Sequence, residues 1–317
     1  MQARYLIIIN PNANNGKCKD TWQLIKNQLD AGKVVYQFRL TEYHNHARLI
    51  AEQYIKKYHQ DTSFQNILLV IGGDGTLNQV ITGAKNIVKQ DQRLHEFPIA
   101  LIPAGRNNNF ALEMGISLNW SQALNAALSH TNPHDINIGY YYNNFNRRYH
   151  YFLNNMGIGF ESNLLNSRQK SHWKWFTNRF HRICRFWDIL VNLYEIKEFP
   201  LSLVSGVNRE QFSKVVWVGI YNTPYFDNNK RFMPNASIKK PSLDIMVMEN
   251  KNILFVTWAI FLMFMGKRTK LKSVHYYESK SFKINIPSIE YANIDNEELG
   301  GHFYNAEFGI TTFQFIY

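Results

Sequence analysis

The stretch Asn66-Ile67-Leu68-Leu69-Val70-Ile71-Gly72-Gly73-Asp74-Gly75-Thr76-Leu77-Asn78 decides how this chain is read. The apolar run to Ile71 reads as a strand buried on both faces. It meets three glycines in four positions, then the helical spacing of Leu77 to Val88. Glycines there remove the Cβ atoms that would keep a phosphate away, and they permit the positive φ angles that turn successive N–H groups inward. A helix starting at Leu77 aims the positive end of its dipole at the same place. Thr76 can cap that helix or donate to a phosphoryl oxygen. Asp74 is the odd member, because a carboxylate beside a phosphate is repulsive unless a cation or a proton transfer requires it. It is therefore a candidate magnesium ligand or general base. The plainer alternative is a strand-to-helix bend that needs glycine for its geometry alone.

Outward from this bend, the first third alternates strand and helix signals. Strands are expected at Arg4–Ile9, Val34–Arg39, Asn66–Ile71 and Ile99–Ile102. Helices are expected at Thr21–Leu29, Ala47–Tyr58 and Leu77–Val88. That order implies a parallel sheet with flanking helices, whose ligands bind at the carboxyl ends of the strands. Beyond Thr131 come strand-like segments at Asp135–Tyr142, Arg148–Asn155, Leu201–Val204, Lys214–Tyr221, Leu243–Glu249, Ser273–Tyr277 and Ser281–Ile286, as in an antiparallel sandwich or barrel. We therefore expect an α/β nucleotide-binding domain over 1–130 and a mainly antiparallel β-sandwich over 131–317 with a helical insertion. The insertion, Ser167 to Glu198, is basic and aromatic.

The chain has 317 residues, 45% of them hydrophobic, which suffices for two cores. Lys and Arg number 35 against 24 Asp and Glu, and the resulting +11 suits nucleic acid, a membrane surface or a phosphorylated substrate. Two cysteines make neither a disulfide framework nor a zinc site, and the 11 histidines show no metal-ligand spacing. The apolar run Ile253–Met265 is too short to span a bilayer and suits a buried or interfacial helix. With no secretion signal evident, a cytoplasmic location is expected.

Several of these segments together resemble the diacylglycerol kinase catalytic-domain family, which includes bacterial soluble lipid kinases and the sphingosine and ceramide kinases. Gly72 to Asn78 looks like its signature, although NAD kinases share the core of that motif. Asn10-Pro11-Asn12, leading to Gly16, resembles the family's phosphate-side loop. Thr41 with His46-Ala47 resembles its nucleotide-contact threonine and following helix. Pro103-Ala104-Gly105 with Asn108 and Phe110-Ala111 resembles the next nucleotide loop. Asn154 to Phe160 resembles the entry to the second domain, Asn222, Pro234-Asn235-Ala236 and Leu243-Asp244 its later strands, and Asp295-Asn296-Glu297 its Asp-Gly-Glu stretch.

The resemblance implies transfer of the γ-phosphoryl group of ATP, with magnesium, to a hydroxyl of diacylglycerol or a related lipid. It also implies that ATP and lipid meet in a cleft between the domains. The implied nucleotide residues are Asn10, Pro11, Asn12, Thr41, Gly72, Gly73, Asp74, Gly75, Thr76, Leu77, Asn78, Gly105, Arg106 and Asn108. The implied catalytic residues are Glu297 as base, Asp295 and Asp74. Asp295 and Glu297 stand two apart, so an extended segment would face both the same way. The partners implied are a membrane lipid and the inner membrane surface, where the basic aromatic insertion would dock, and a homodimer is allowed. No nucleic-acid motif accompanies that insertion.

Four positions depart from the family pattern, the mildest being Asn296 in place of the Asp-Gly-Glu glycine. Arg106 stands where the family has Thr, and Asn109 where it has Asp. Lys240 stands where many relatives hold a structural magnesium with Asp, so that site is expected to be absent. These changes keep two alternatives in view: a weak or inactive nucleotide- or lipid-binding regulator, and a NAD kinase-like enzyme.

Overall fold

A computed structural model describes residues 2–129, 132–162, 197–226, 231–265 and 269–317. The basic aromatic insertion lies almost wholly outside these residues. The chain divides into two compact units, Met1–Ile138 with Thr311–Tyr317, and Gly139–Ile310.

The first unit alternates β1 (Gln2–Ile9), α1 (Lys17–Ala31), β2 (Val35–Leu40), α2 (His46–Tyr58), β3 (Phe64–Gly72), α3 (Asp74–Gln90) and β4 (Ile99–Pro103), then α4 (Asn109–Met114) and α5 (Trp120–Ser129). The strands run parallel in the order β2-β1-β3-β4. β1, β3 and β4 read as unbroken apolar runs because both of their faces are covered: Leu6 to Ile9, Ile67 to Ile71 and Ile99 to Ile102 are buried. The end of the chain closes this sheet. Phe315 and Ile316, at the tip of β13 (Glu297–Ile316), pair parallel with Ile99 and Ala100. Loops after β1, β2, β3 and β4 thus gather at one edge, where such sheets bind ligands.

α3 begins at Asp74, three residues before the start expected at Leu77. Its N-cap is Gly73, so Thr76 lies inside the first turn and does not cap the helix. α4 and α5 had no sequence expectation.

In the second unit the strand pairing is mainly antiparallel among the described residues. The strands are β5 (His134–Asn143, which starts in the first unit), β6 (Arg148–Phe152), β7 (Asn155–Gly159), β8 (Phe199–Ser205), β9 (Asn208–Tyr221), β10 (Leu243–Glu249), β11 (Val274–Ser279), β12 (Ser281–Ile294) and β13. Among the described residues, the helix α6 (Ile253–Phe264) joins them. β9 and β12 are long strands bridged by β7 near one end and by β8 near the other. Side chains alternate as a pleated strand requires. Val218 and Ile220 of β9 and Ile245 and Val247 of β10 enter one apolar cluster. Trp217, Tyr221, Met246 and Met248 enter a second, which the inner face of α6 covers.

The segment Arg148–Asn155, expected as one strand, breaks at Leu153-Asn154 into β6 and β7. The break is held by hydrogen bonds described below.

Helix α2 packs on α3 at Gly83, where an added Cβ would lie 2.4 Å from the carbonyl oxygen of Arg48. Backbone cannot yield as a flexible side chain does, so Gly83→Ala should destabilise the chain by about 1–3 kcal/mol. Chemical denaturation checks this; an unchanged midpoint would contradict the packing.

Candidate active site

The first unit builds its site from two loops that touch. An added Cβ on Gly73 would lie 3.0 Å from Gly105 Cα, and one on Gly105 would lie 2.5 Å from Gly73 Cα and 2.7 Å from Asn108 Oδ1. A Cβ on Gly72 would lie 2.8 Å from Thr76 Cβ and Oγ1. These glycines are absent from the positive-φ positions. The positive-φ part of the expectation is therefore corrected: close approach of the Thr76 side chain at Gly72, and of each other's backbone at Gly73 and Gly105, selects glycine here, and left-handed geometry does not.

Asp74 ties the loops together. Its Oδ2 accepts from the backbone N–H groups of Asn109 at 2.9 Å and Phe110 at 3.4 Å, the first two residues of α4. A carboxylate at a helix N-terminus meets unpaired N–H groups and the positive dipole end, which is favourable by about 0.3–1 kcal/mol. The Asn108 side chain closes the second loop on itself: Oδ1 accepts from Gly105 N–H (2.9 Å) and Nδ2 donates to the Gly105 carbonyl (3.0 Å). Ala104 N–H donates to the Gly72 carbonyl at 2.8 Å.

Neighbouring strand ends join in. Asn10 Nδ2 donates to Thr76 Oγ1 at 3.0 Å, and Asn10 Oδ1 accepts from Asn12 N–H at 3.1 Å. Pro11 lies between them. Thr41 is buried, and its N–H donates to the Ile9 carbonyl at 2.8 Å. Leu77 is core, and Asn78 accepts from Thr82. Gly75 lies in the first turn of α3, and Arg106 is exposed. Asn10, Thr41, Gly72 to Asn78 and Gly105 to Asn108 thus share the carboxyl edge of one sheet.

No group of three His, Cys, Asp or Glu residues that could hold a metal exists among the described residues. Asp74 and the buried Asn109 Oδ1, which has no hydrogen-bond partner, do supply hard oxygens at adjoining positions. They fit a magnesium ion whose other ligands are phosphate and water. Lys240 lies 3.8 Å from Glu278 at a half-buried position in the second unit.

The acidic pair of the second unit takes a different shape from the one its spacing suggests. Asp295 and Asn296 have φ of 48° and 69°, a two-residue turn between β12 and β13. The extended geometry expected for 295–297 is not formed. Asp295 is buried, and its carboxylate accepts from the N–H groups of Leu153 (2.8 Å), Asn154 (2.7 Å) and Asn155 (3.2 Å). The same three-residue bend is held from its carbonyl side. Asn222 donates to the carbonyls of Asn154 and Leu153, and Asp295 N–H donates to that of Asn155. Asp295 therefore anchors the turn, and Glu297 stands exposed just after it, at the first position of β13.

Beside this turn lies a residue that sequence reasoning missed. Glu161 is fully buried, yet it accepts from Asn155 Nδ2 (2.9 Å), Asn293 Nδ2 (3.0 Å) and Trp217 Nε1 (2.9 Å). Gly157 leaves room for it, since a Cβ there would meet the carboxyl at 2.2 Å. The signal available was a lone acid directly after the apolar Gly157-Ile158-Gly159-Phe160 run. Burial pushes its carboxyl up from 4.5 to about 7, against the pull of the three donors. A raised folded-state pKa gives stability that is present below about pH 4.5 and lost as pH rises through about 7. Glu161→Gln does not titrate. Between about pH 4.5 and pH 8 the wild type should therefore lose up to about 3 kcal/mol relative to the variant, measured by denaturant titration. A pH-independent difference would contradict this burial.

Comparisons with known proteins agree on one family. The diacylglycerol kinase catalytic domain matches residues 4–140. The Bacillus subtilis protein YtlR, provisionally named a lipid kinase, is 26% identical over 289 residues, 88% of each chain. A diacylglycerol kinase of Staphylococcus saprophyticus is 23% identical over 255 residues, 78% of this chain and 76% of its own. A Bacillus anthracis crystal structure, provisionally named a diacylglycerol kinase, superposes with a TM-score of 0.71 at 19% identity, covering 100% of this chain and 97% of its own. At that identity it supports the fold alone. The interlocked glycine loops lie within the matched segment, so it is in residues 4–140 that this chain is similar to the diacylglycerol kinase catalytic domain.

Proposed function

We propose that this chain is an ATP-dependent lipid kinase that transfers the γ-phosphoryl group of ATP to a hydroxyl of diacylglycerol or a related membrane lipid, at the cytoplasmic face of the membrane. The observation that carries the reading is the Asp74-tied pair of loops at the carboxyl edge of the parallel sheet. Phosphoryl transfer asks a protein mainly for positioning and charge balance. The bare backbone of Gly72 and Gly73 and the N-terminus of α3 offer a place for the phosphates. Arg106, exposed beside them in sequence, has the planar donor set that matches a phosphate. Magnesium, when bound, would be held by Asp74 and Asn109 and would offset phosphate charge.

In the transfer, the acceptor oxygen bonds to the γ-phosphorus as the bond to the β,γ-bridging oxygen breaks, and ADP leaves. The acceptor hydroxyl gives its proton to Glu297, the exposed carboxylate next to the anchored turn. Asp295 acts as a positioning residue, because its oxygens already accept three backbone N–H groups.

A second reading, a nucleotide-binding regulator without turnover, is favoured by one observation: position 109 supplies an amide oxygen where a carboxylate would bind metal more strongly. Labelled ATP, magnesium and a lipid panel separate the two. We expect label in a lipid product, and Glu297→Ala should cut turnover by about 100- to 10,000-fold with ATP binding retained. ATP binding with no transfer to any lipid would favour the regulator, and NADP formed from NAD would overturn both.

A further inference from the structure

Helix α6 has two apolar faces, and among the described residues only one of them is packed. Val256, Ala259, Ile260 and Met263 fill the cluster around Trp217 and Tyr221. On the other side Leu254 (73% exposed), Phe255, Trp258 (52% exposed), Phe261 and Met265 face solvent among the described residues. Leu254, Trp258, Phe261 and Met265 follow the spacing i, i+4, i+7, i+11, which makes one stripe along a helix. The Trp258 and Phe261 rings stack with centroids 5.5 Å apart. The helix is well started, since the Asn252 side chain accepts from Leu254 N–H at 2.9 Å. Singly exposed apolar residues are ordinary, whereas a contiguous stripe of this kind marks a binding surface.

The flanking charge selects the occupant. From residue 250 to 273 the sequence has five cationic residues (Lys251, Lys267, Arg268, Lys270 and Lys272) and neither Asp nor Glu. Lys251, Lys270 and Lys272 are exposed; Lys251 precedes the helix, where it pairs with Glu249 at 3.1 Å and donates to the Lys272 carbonyl at 3.1 Å. An apolar stripe between cations matches the acyl boundary and headgroups of an anionic leaflet. The helix is about 18 Å long, short of the roughly 30 Å hydrocarbon core, so it cannot span. No helix among the described residues is long and apolar enough to cross a membrane.

We propose that α6 lies flat in the headgroup–acyl boundary of an anionic bilayer and docks the chain there through its Leu254–Met265 stripe. The purpose of this docking rests on the lipid-kinase reading, because the acceptor stays in the membrane; the binding itself needs neither ATP nor turnover.

The test uses the full chain without nucleotide and sedimentation with vesicles of phosphatidylglycerol and phosphatidylcholine. The wild type should bind, and Leu254→Glu/Trp258→Glu should lose at least about tenfold in partitioning. Circular dichroism checks the fold of that variant. A milder variant guards against misfolding: vesicles carrying brominated acyl chains should quench wild-type tryptophan fluorescence more than that of Trp258→Phe. Absence of wild-type binding, equal binding by the charged variant, or equal quenching in both proteins would overturn the proposal. Failure to phosphorylate any lipid would leave these readings intact and count against the kinase assignment alone.

Discussion

One carboxylate at one helix end organises the candidate site. Asp74 sits in the first turn of α3 and accepts from the first two N–H groups of α4, so the loops after β3 and β4 are held in contact. That contact is possible only because Gly73 and Gly105 present bare backbone to each other. The two features are reciprocal. A side chain at either glycine would part the loops, and without the carboxylate the α4 end would face the neighbouring loop with unpaired donors. The Gly-Gly-Asp-Gly sequence is therefore a packing device as well as a surface that a phosphate can approach.

The second unit uses the same physics at another turn. The carboxylate of Asp295 is surrounded by backbone N–H groups from the bend between β6 and β7, and Asn222 holds that bend from the carbonyl side. Three segments far apart in sequence are thereby locked, and a two-residue turn with both residues left-handed becomes rigid. Asn296 suits such a turn nearly as well as glycine, because its short polar side chain tolerates left-handed backbone. Glu161 adds a buried charge-bearing group to the neighbouring strands, where its three donors offset only part of the cost of burial.

Much of the first unit could be read directly from residues. β1, β3 and β4 are continuous apolar runs because they are covered on both sides, and β-branched runs ending in glycine or Asn-Pro left little doubt about where strands end. The exact start of α3 was hidden, since Asp74, Gly75 and Thr76 are poor helix formers whose placement depends on contacts with another loop. The break at Leu153-Asn154 was hidden for the same reason: its cause, Asp295, lies over 140 positions away in sequence. β13 was missed although Tyr304, Ala306 and Phe308 alternate inward, because Gly, His, Asn and Glu between them dilute the strand signal. α6 read as buried or interfacial from its composition, and only its packing shows that one face is uncovered among the described residues. Residues at the site were legible as a family pattern, whereas the division of labour between Asp295 and Glu297 needed the turn geometry.

The most direct measurement is a crystal structure of the chain grown with magnesium and a non-hydrolysable ATP analogue. The account predicts the triphosphate against the Gly72–Thr76 bend, with the metal on Asp74 and the Asp74 contact to α4 preserved. A nucleotide bound away from that bend, or an Arg106 side chain filling the place of the phosphates, would contradict it.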